Sequence, residues 1–122
     1  MELKRVVVTG LGALTPVGNN ASDYWDALVK GVSGADAITL FDTEKFKTKF
    51  ACEVKDFNPL DHFDRKEARK YDRYCQFGLV AAEEAINDSG IDYEGVDKDH
   101  IGVIWASGIG GLDTFEKEVG DF

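Results

Sequence analysis

Three features of the sequence predict an α/β fold. Two short β-branched runs each end in a glycine turn, and an apolar helical pattern lies between them. Residues 4–9 carry Val6, Val7 and Val8 and lead into Gly10-Leu11-Gly12, while residues 101–106 lead into Ser107-Gly108-Ile109-Gly110-Gly111. Between the two, Cys75, Leu79, Ala82 and Ile86 recur at the spacing of one helix face. A chain of 122 residues with 43% hydrophobic content suits one globular unit and excludes the disordered and collagen-like classes.

Each element follows from its local chemistry. A continuous β-branched run is the mark of a strand buried on both faces, so residues 4–9 are assigned a central strand. After Pro16 and Gly18, Asn20 or Ser22 can cap a helix whose apolar stripe is Tyr24, Trp25, Leu28 and Val29, with Gly31 as its stop. From Gly31 to Leu60 the pattern weakens to a loop, with one alternating strand-like stretch at residues 50–54 and a turn at Asn58-Pro59. Asp64 caps a basic turn that runs into a mostly buried helix over residues 71–89, closed by Gly90. A second strand at residues 101–106 and a helix from Leu112 to Phe122 complete the pattern. The last helix has no capping glycine or polar tail, so the sequence reads as the start of a longer chain.

Composition narrows the function. A formal net charge of −9 opposes general affinity for nucleic acid or for anionic membrane surfaces. The apolar runs fall far short of the roughly 20 residues needed to cross a bilayer, and the first residues lack the apolar core of a secretory signal. Cys52 and Cys75 have no CxxC spacing and no partner histidines, which argues against a metal site or a disulfide framework and for a reducing, cytoplasmic setting.

The candidate motifs divide unevenly. Thr9-Gly10-Leu11-Gly12-Ala13-Leu14-Thr15 has two glycines of a dinucleotide fingerprint, but Thr15 replaces the third and no acidic residue follows at the ribose distance, so a structural turn is preferred. Ser107 to Gly111 reads as a tight strand-to-helix connection, with an anion contact at the helix start as the alternative. It is not a nucleophile elbow, because Trp105 stands where GxSxG requires glycine. Glu53 beside Cys52 disfavours a thiolate, and Cys75 lies inside a helix, so both read as inert; His62 and His100 are isolated in polar loops. Lys66, Arg69, Lys70 and Arg73 share one helix face, only partly offset by Glu67 and Asp72. Spacing alone leaves two readings open for that stripe: a solvated face, or a docking surface for an acidic protein.

The segment Arg5-Val6-Val7-Val8-Thr9-Gly10-Leu11-Gly12-Ala13-Leu14-Thr15-Pro16-Val17-Gly18, the segment Arg65-Lys66-Glu67-Ala68-Arg69-Lys70, and residues 101–112 together resemble the β-ketoacyl-acyl-carrier-protein synthases, the type II branch in particular. The resemblance covers the whole chain and about the first third of a family member. It implies a thiolase-like layered α/β fold (α-β-α-β-α), with residues 1–122 as the N-terminal portion of its first half and no complete second domain. It also implies a homodimer and a reaction that needs no cofactor and no metal. A fatty acyl group passes from acyl carrier protein to an active-site cysteine and is condensed with malonyl-acyl carrier protein, with loss of carbon dioxide. In the family that cysteine and two histidines lie beyond the position of Phe122, so the resemblance gives this chain no catalytic residue and implies that alone it is inactive. It does give Lys66, Arg69 and Lys70 as contacts for acyl carrier protein, and Ile109 as a residue lining and gating the acyl pocket near the dimer interface. Two rival functions stand beside it, a non-catalytic module that binds an acidic carrier and a nucleotide-binding α/β domain.

Overall fold

The computed structural model describes residues 3–122. Its elements, in chain order, are helix α1 (Ala21–Val29), strands β1 (Asp36–Ala37) and β2 (Phe50–Ala51), a 3-10 turn at Pro59–Asp61, helices α2 (Arg65–Lys70) and α3 (Arg73–Ser89), a 3-10 turn at Lys98–His100, and helix α4 (Leu112–Gly120). The strands form an antiparallel ribbon in which Asp36 faces Ala51 and Ala37 faces Phe50. Part of the expected 50–54 strand is therefore present, and its partner at residues 36–37 carries no pattern that marks it in advance.

The helix boundaries follow the sequence chemistry closely. The Asn20 side chain accepts from the Asp23 amide at 2.8 Å and starts α1, and the chain leaves that helix through Gly31 at φ +66°. The Asp64 carboxylate accepts from the amides of Lys66 at 2.7 Å and Glu67 at 2.8 Å, which fixes the start of α2. Gly90 at φ +60° closes α3 as expected. Two boundaries differ from expectation. The basic turn does not run on into the long helix, because Tyr71 adopts extended backbone and Asp72 starts α3 afresh. The final helix ends at Gly120, with Asp121 as its C-cap.

The larger correction concerns the two expected strands. Residues 4–9 and 101–106 form no strand, and no backbone hydrogen bond among the described residues joins either stretch to another strand. The turn at residues 10–13 that follows the first stretch, and Trp105 within the second, are instead fastened to α3. At Gly10 and Gly12 an added Cβ would fall 2.1 Å from the Ala85 carbonyl oxygen and 1.9 Å from that of Ala81, so the glycines let one backbone lie on the other. Asp88 accepts from the Leu11 amide and Glu84 from the Ala13 amide, each at 2.8 Å, and the second oxygen of Glu84 accepts from the Ala21 amide at the start of α1. A carboxylate there also complements the helix dipole. On another side of α3, Gly78 admits the Trp105 indole, and Trp105 Nε1 donates to the Tyr74 carbonyl at 3.2 Å.

Burial is correspondingly thin. Ala27, Gln76, Gly78 and Val80 are buried, whereas Val6 is 89% and Ile104 97% exposed. The expected stripe of α1 is largely open at Trp25, Leu28 and Val29, and Leu79 and Ile86 of α3 are exposed as well. The accessible surface is 10532 Å². A free-standing monomer of this mass exposes about 6,500 Å² by surface-to-mass scaling.

Candidate functional site

The basic residues are organised by the corner between α2 and α3. Lys66, Arg69 and Lys70 lie on one face of α2, all are exposed, and among the described residues none forms an ion pair. The Lys70 ammonium sits 5.4 Å from the centre of the Tyr71 ring. Arg73 does not belong with them. It lies beyond the break, where its guanidinium covers the Phe77 ring at 4.9 Å and the Phe57 ring at 5.7 Å, and it donates to the Val54 carbonyl at 3.4 Å. The four-residue stripe expected from the sequence is thus a three-residue face, with the fourth cation used to seat α3 on an aromatic cluster.

What holds α2 at its angle is Gln76, which is 6% exposed. A six-residue helix leaves its last carbonyls without partners in its own turn. Gln76 Nε2 donates to the carbonyls of Ala68 at 2.9 Å and Tyr71 at 3.0 Å, so one buried amide of α3 caps the C-terminal end of α2. Sequence spacing does not single this residue out, because it makes α2 and α3 one helix, in which those carbonyls need no outside donor. The available signal was a lone glutamine between two otherwise apolar helix positions, Cys75 and Phe77.

Ile109 lies in the turn before α4 and is 75% exposed. The turn borders an open cleft of about 610 Å³ whose lining includes Phe41, Asp72, Tyr74, Ile109, Leu112 and Lys117. Ile109 and the corner residues therefore share a cavity, while Lys66, Arg69 and Lys70 lie outside its lining. A second, mostly apolar cleft of about 300 Å³ lies between α3 and residues 103–105, lined by Tyr71, Cys75, Leu79, Ala82 and Trp105. It is the face of α3 picked out by the apolar spacing.

The remaining candidates show no assembled chemistry. Cys52 is exposed and Cys75 half-buried. The neighbouring Cys75 side chain, followed by desolvation and the Asp72 charge, holds the Tyr74 phenol above its ordinary pKa, so Tyr74 is no base for Cys75 at neutral pH. His62 stacks on Phe57 at 5.5 Å, and His100 Nδ1 pairs with Asp97 at 2.9 Å in an exposed turn, so neither histidine meets a cysteine. Among the described residues no three His, Cys, Asp or Glu side chains are grouped to hold a metal ion, and no helix is long and apolar enough to cross a membrane. The glycines of the first turn, the one nucleotide-like feature, are occupied by the backbone of α3.

Residues 3–121 match the family model of the β-ketoacyl synthase N-terminal domain. The chain is 50% identical over 113 residues to 3-oxoacyl-[acyl-carrier-protein] synthase 2 of Staphylococcus aureus (strain N315), a match covering 93% of this chain and 27% of that protein. It is 47% identical over 118 residues to the enzyme of the same name from Synechocystis sp., covering 97% of this chain and 28% of the relative. The chain thus spans about a quarter of the length of these curated relatives. Among solved structures, the ishigamide ketosynthase/chain length factor is similar with a TM-score of 0.62 and 36% identity, over 72% of this chain and 22% of that one. A type II PKS acyl-carrier protein in complex with its ketosynthase bound to the hexaketide is similar with a TM-score of 0.55 and 25% identity, over 75% of this chain and 23% of that one.

Proposed function

The chain belongs to the β-ketoacyl synthase family and has part of its layered, thiolase-like α/β fold, and from that premise we propose that it is the N-terminal portion of a 3-oxoacyl-[acyl-carrier-protein] synthase. In that reaction the acyl group leaves the carrier thiol for an enzyme cysteine, malonyl-carrier loses carbon dioxide, and the resulting enolate carbon attacks the thioester. A carbon–carbon bond forms as the carbon–sulfur bond breaks, and the acyl chain grows by two carbons. This is the elongation step of fatty acid synthesis. The full polypeptide works as a homodimer, and residues 1–122 alone are inactive.

This part of the chain supplies the docking face for the carrier and one wall of the acyl pocket. The observation that carries the docking assignment is the cationic face of α2, three exposed side chains that form no ion pair among the described residues, on a protein of net charge −9. Exposed pairs contribute little to stability, so such a face on an acidic protein is best explained by a negatively charged partner that it steers. A relative in complex with an acyl-carrier protein supports the choice of partner. Ile109, apolar and exposed in a glycine-flanked turn, is assigned to the pocket wall. The independent binding module is disfavoured by the surface in excess of a free-standing domain.

Two measurements on the full polypeptide test this reading. Incubation with acyl- and malonyl-carrier should release carbon dioxide and yield the 3-oxoacyl-carrier product; absence of product overturns the activity. Lys66→Glu with Arg69→Glu should weaken carrier association about tenfold at low salt, with the difference shrinking as ionic strength rises. Unchanged affinity at low salt overturns docking on α2.

A further inference from the structure

The corner between α2 and α3 has a second occupant besides Gln76. A residue placed as Asp72 is, immediately before a helix, commonly turns its carboxylate onto the first amides of that helix. Asp72 makes no such cap. Its Oδ1 accepts a hydrogen bond from Thr114 Oγ1 of α4, forty-two residues away in the chain. Its Oδ2 lies against Gly111, where an added Cβ would come within 2.6 Å, and Gly111 has φ +68°. Gly110 lies on the Tyr74 ring, where a Cβ would come within 2.5 Å of Cε1, and the Tyr74 carbonyl accepts from Trp105 Nε1. The turn that carries Ile109 is therefore fastened on both sides, at Trp105 and at Gly110 to Thr114, to residues 72 and 74. The same corner carries α2, held by Gln76 through the carbonyls of Ala68 and Tyr71.

We infer that Asp72 is a positioning residue that ties the Ile109 turn to the corner from which α2 springs, so that a carrier seated on α2 acts on the setting of residues 107–111. The inference rests on the proposed function, which gives α2 to the carrier and Ile109 to the acyl pocket. Its physical content is that a short helix mounted on a two-residue corner cannot tilt without moving Asp72. Asp72 in turn cannot move without releasing Thr114 or pressing on Gly111. Docking and pocket setting thereby share one mount.

The test is hydrogen exchange of residues 107–111 in the full polypeptide, with and without saturating acyl carrier protein, alongside a separate titration of carrier affinity. In the unaltered protein, carrier binding should change exchange in that turn by about threefold or more. Asp72→Ala and Thr114→Val should each abolish the change while leaving carrier affinity within about twofold, and the double variant should behave as either single does. Asp72→Asn keeps a side-chain oxygen for Thr114 and should retain the response. In steady state, the two disabling variants should lower kcat/KM for the longest acyl donors by about fivefold and shift the preferred acyl length, with KM for the carrier little changed. Carrier binding with no change at 107–111, or an unaltered acyl-length profile in folded Thr114→Val, overturns the coupling and leaves the functional reading standing. A full polypeptide that does not bind the carrier overturns both.

Discussion

The corner at residues 64–76 and the β-branched stretches at 4–9 and 101–106 differ in how their backbone groups are satisfied. At the corner, Asp64 caps the start of α2, Gln76 caps its end, and Arg73 covers Phe77 of its own helix and Phe57 packed against it. The β-branched stretches have stronger apolar character, yet Val6, Val8, Val103 and Ile104 are exposed. A helix satisfies its amides and carbonyls within itself and needs only its ends tended, whereas a strand must find a neighbour. Local chemistry therefore suffices to build the corner but not the sheet, and the surface left open at residues 4–9 and 101–106 suits further strands of the layered family fold.

The sharpest way to break this comparison is to separate residues 10–12 from α3. Gly12→Ala would place a methyl carbon 1.9 Å from the Ala81 carbonyl oxygen and 2.8 Å from the Ala85 amide, and neither backbone can yield without bending a helix. The expected loss is about 3 kcal/mol, at the upper end of overpacking costs, read as a shift in the denaturant midpoint of the full polypeptide. Gly31→Ala is the control. Nothing lies within 4 Å of its added Cβ, and only the left-handed backbone, at about 1–2 kcal/mol, opposes it. Equal losses at the two sites would mean that close approach to α3 is not what Gly12 provides.

A smaller effect is expected at Gln76, and it sharpens the contrast from the other side. Gln76→Leu keeps the volume but removes both donors, leaving the Ala68 and Tyr71 carbonyls without them. The cost should be about 1–3 kcal/mol, with weaker carrier association because α2 loses its fixed angle. Gln76→Glu should be no better, since a carboxylate offers the two carbonyls no donor at neutral pH. If carrier association survives Gln76→Leu in a folded protein, α2 holds its docking geometry without the cap.

Much of the helical part was legible in the sequence because caps are local. Asn20, Asp64, Gly31 and Gly90 mark their boundaries within a turn of where the structure has them. The corner was not, because residues 65–89 keep a helical spacing through Tyr71, and a two-residue break leaves no mark in periodicity. It follows that spacing groups Arg73 with the wrong face, that Asp72, which acts only across the corner, carries no signal, and that Gln76 is marked only by its polarity between Cys75 and Phe77. Composition marks residues 4–9 as a strand buried on both faces and residues 101–106 as a second strand, but it does not name the neighbour a strand requires. The placement of Lys66, Arg69 and Lys70 together needed only i, i+3, i+4 geometry, while the role proposed for them draws on the resemblance to a family.

The smallest expected effect concerns the ribbon, a third way of satisfying backbone groups that uses charge. The Glu53 carboxylate accepts from the Thr39 hydroxyl at 2.7 Å and from the Thr39 and Leu40 amides at 3.1 and 3.4 Å, tying the chain that follows β2 to the chain that follows β1. The Thr39 hydroxyl first, with the Thr39 and Leu40 amides and Arg73 behind it, holds the Glu53 pKa below the ordinary carboxylate value, against a desolvation that outweighs each of the amides taken singly. Asp36 is lowered too, first by its hydrogen bond to Lys55 at 2.8 Å. A depressed carboxylate stabilises the fold above its unfolded pKa, and that contribution fades as pH falls through the lower folded value. The ribbon should thus be indifferent to pH from neutrality down to the ordinary carboxylate range and loosen only below it. The Thr39 amide resonance should report this, titrating with a midpoint below that of an unstructured glutamate, and Glu53→Gln should remove the transition. A midpoint at or above the ordinary value would show that the carboxylate is not held by Thr39, and the ribbon would then depend on its two paired residues per strand alone.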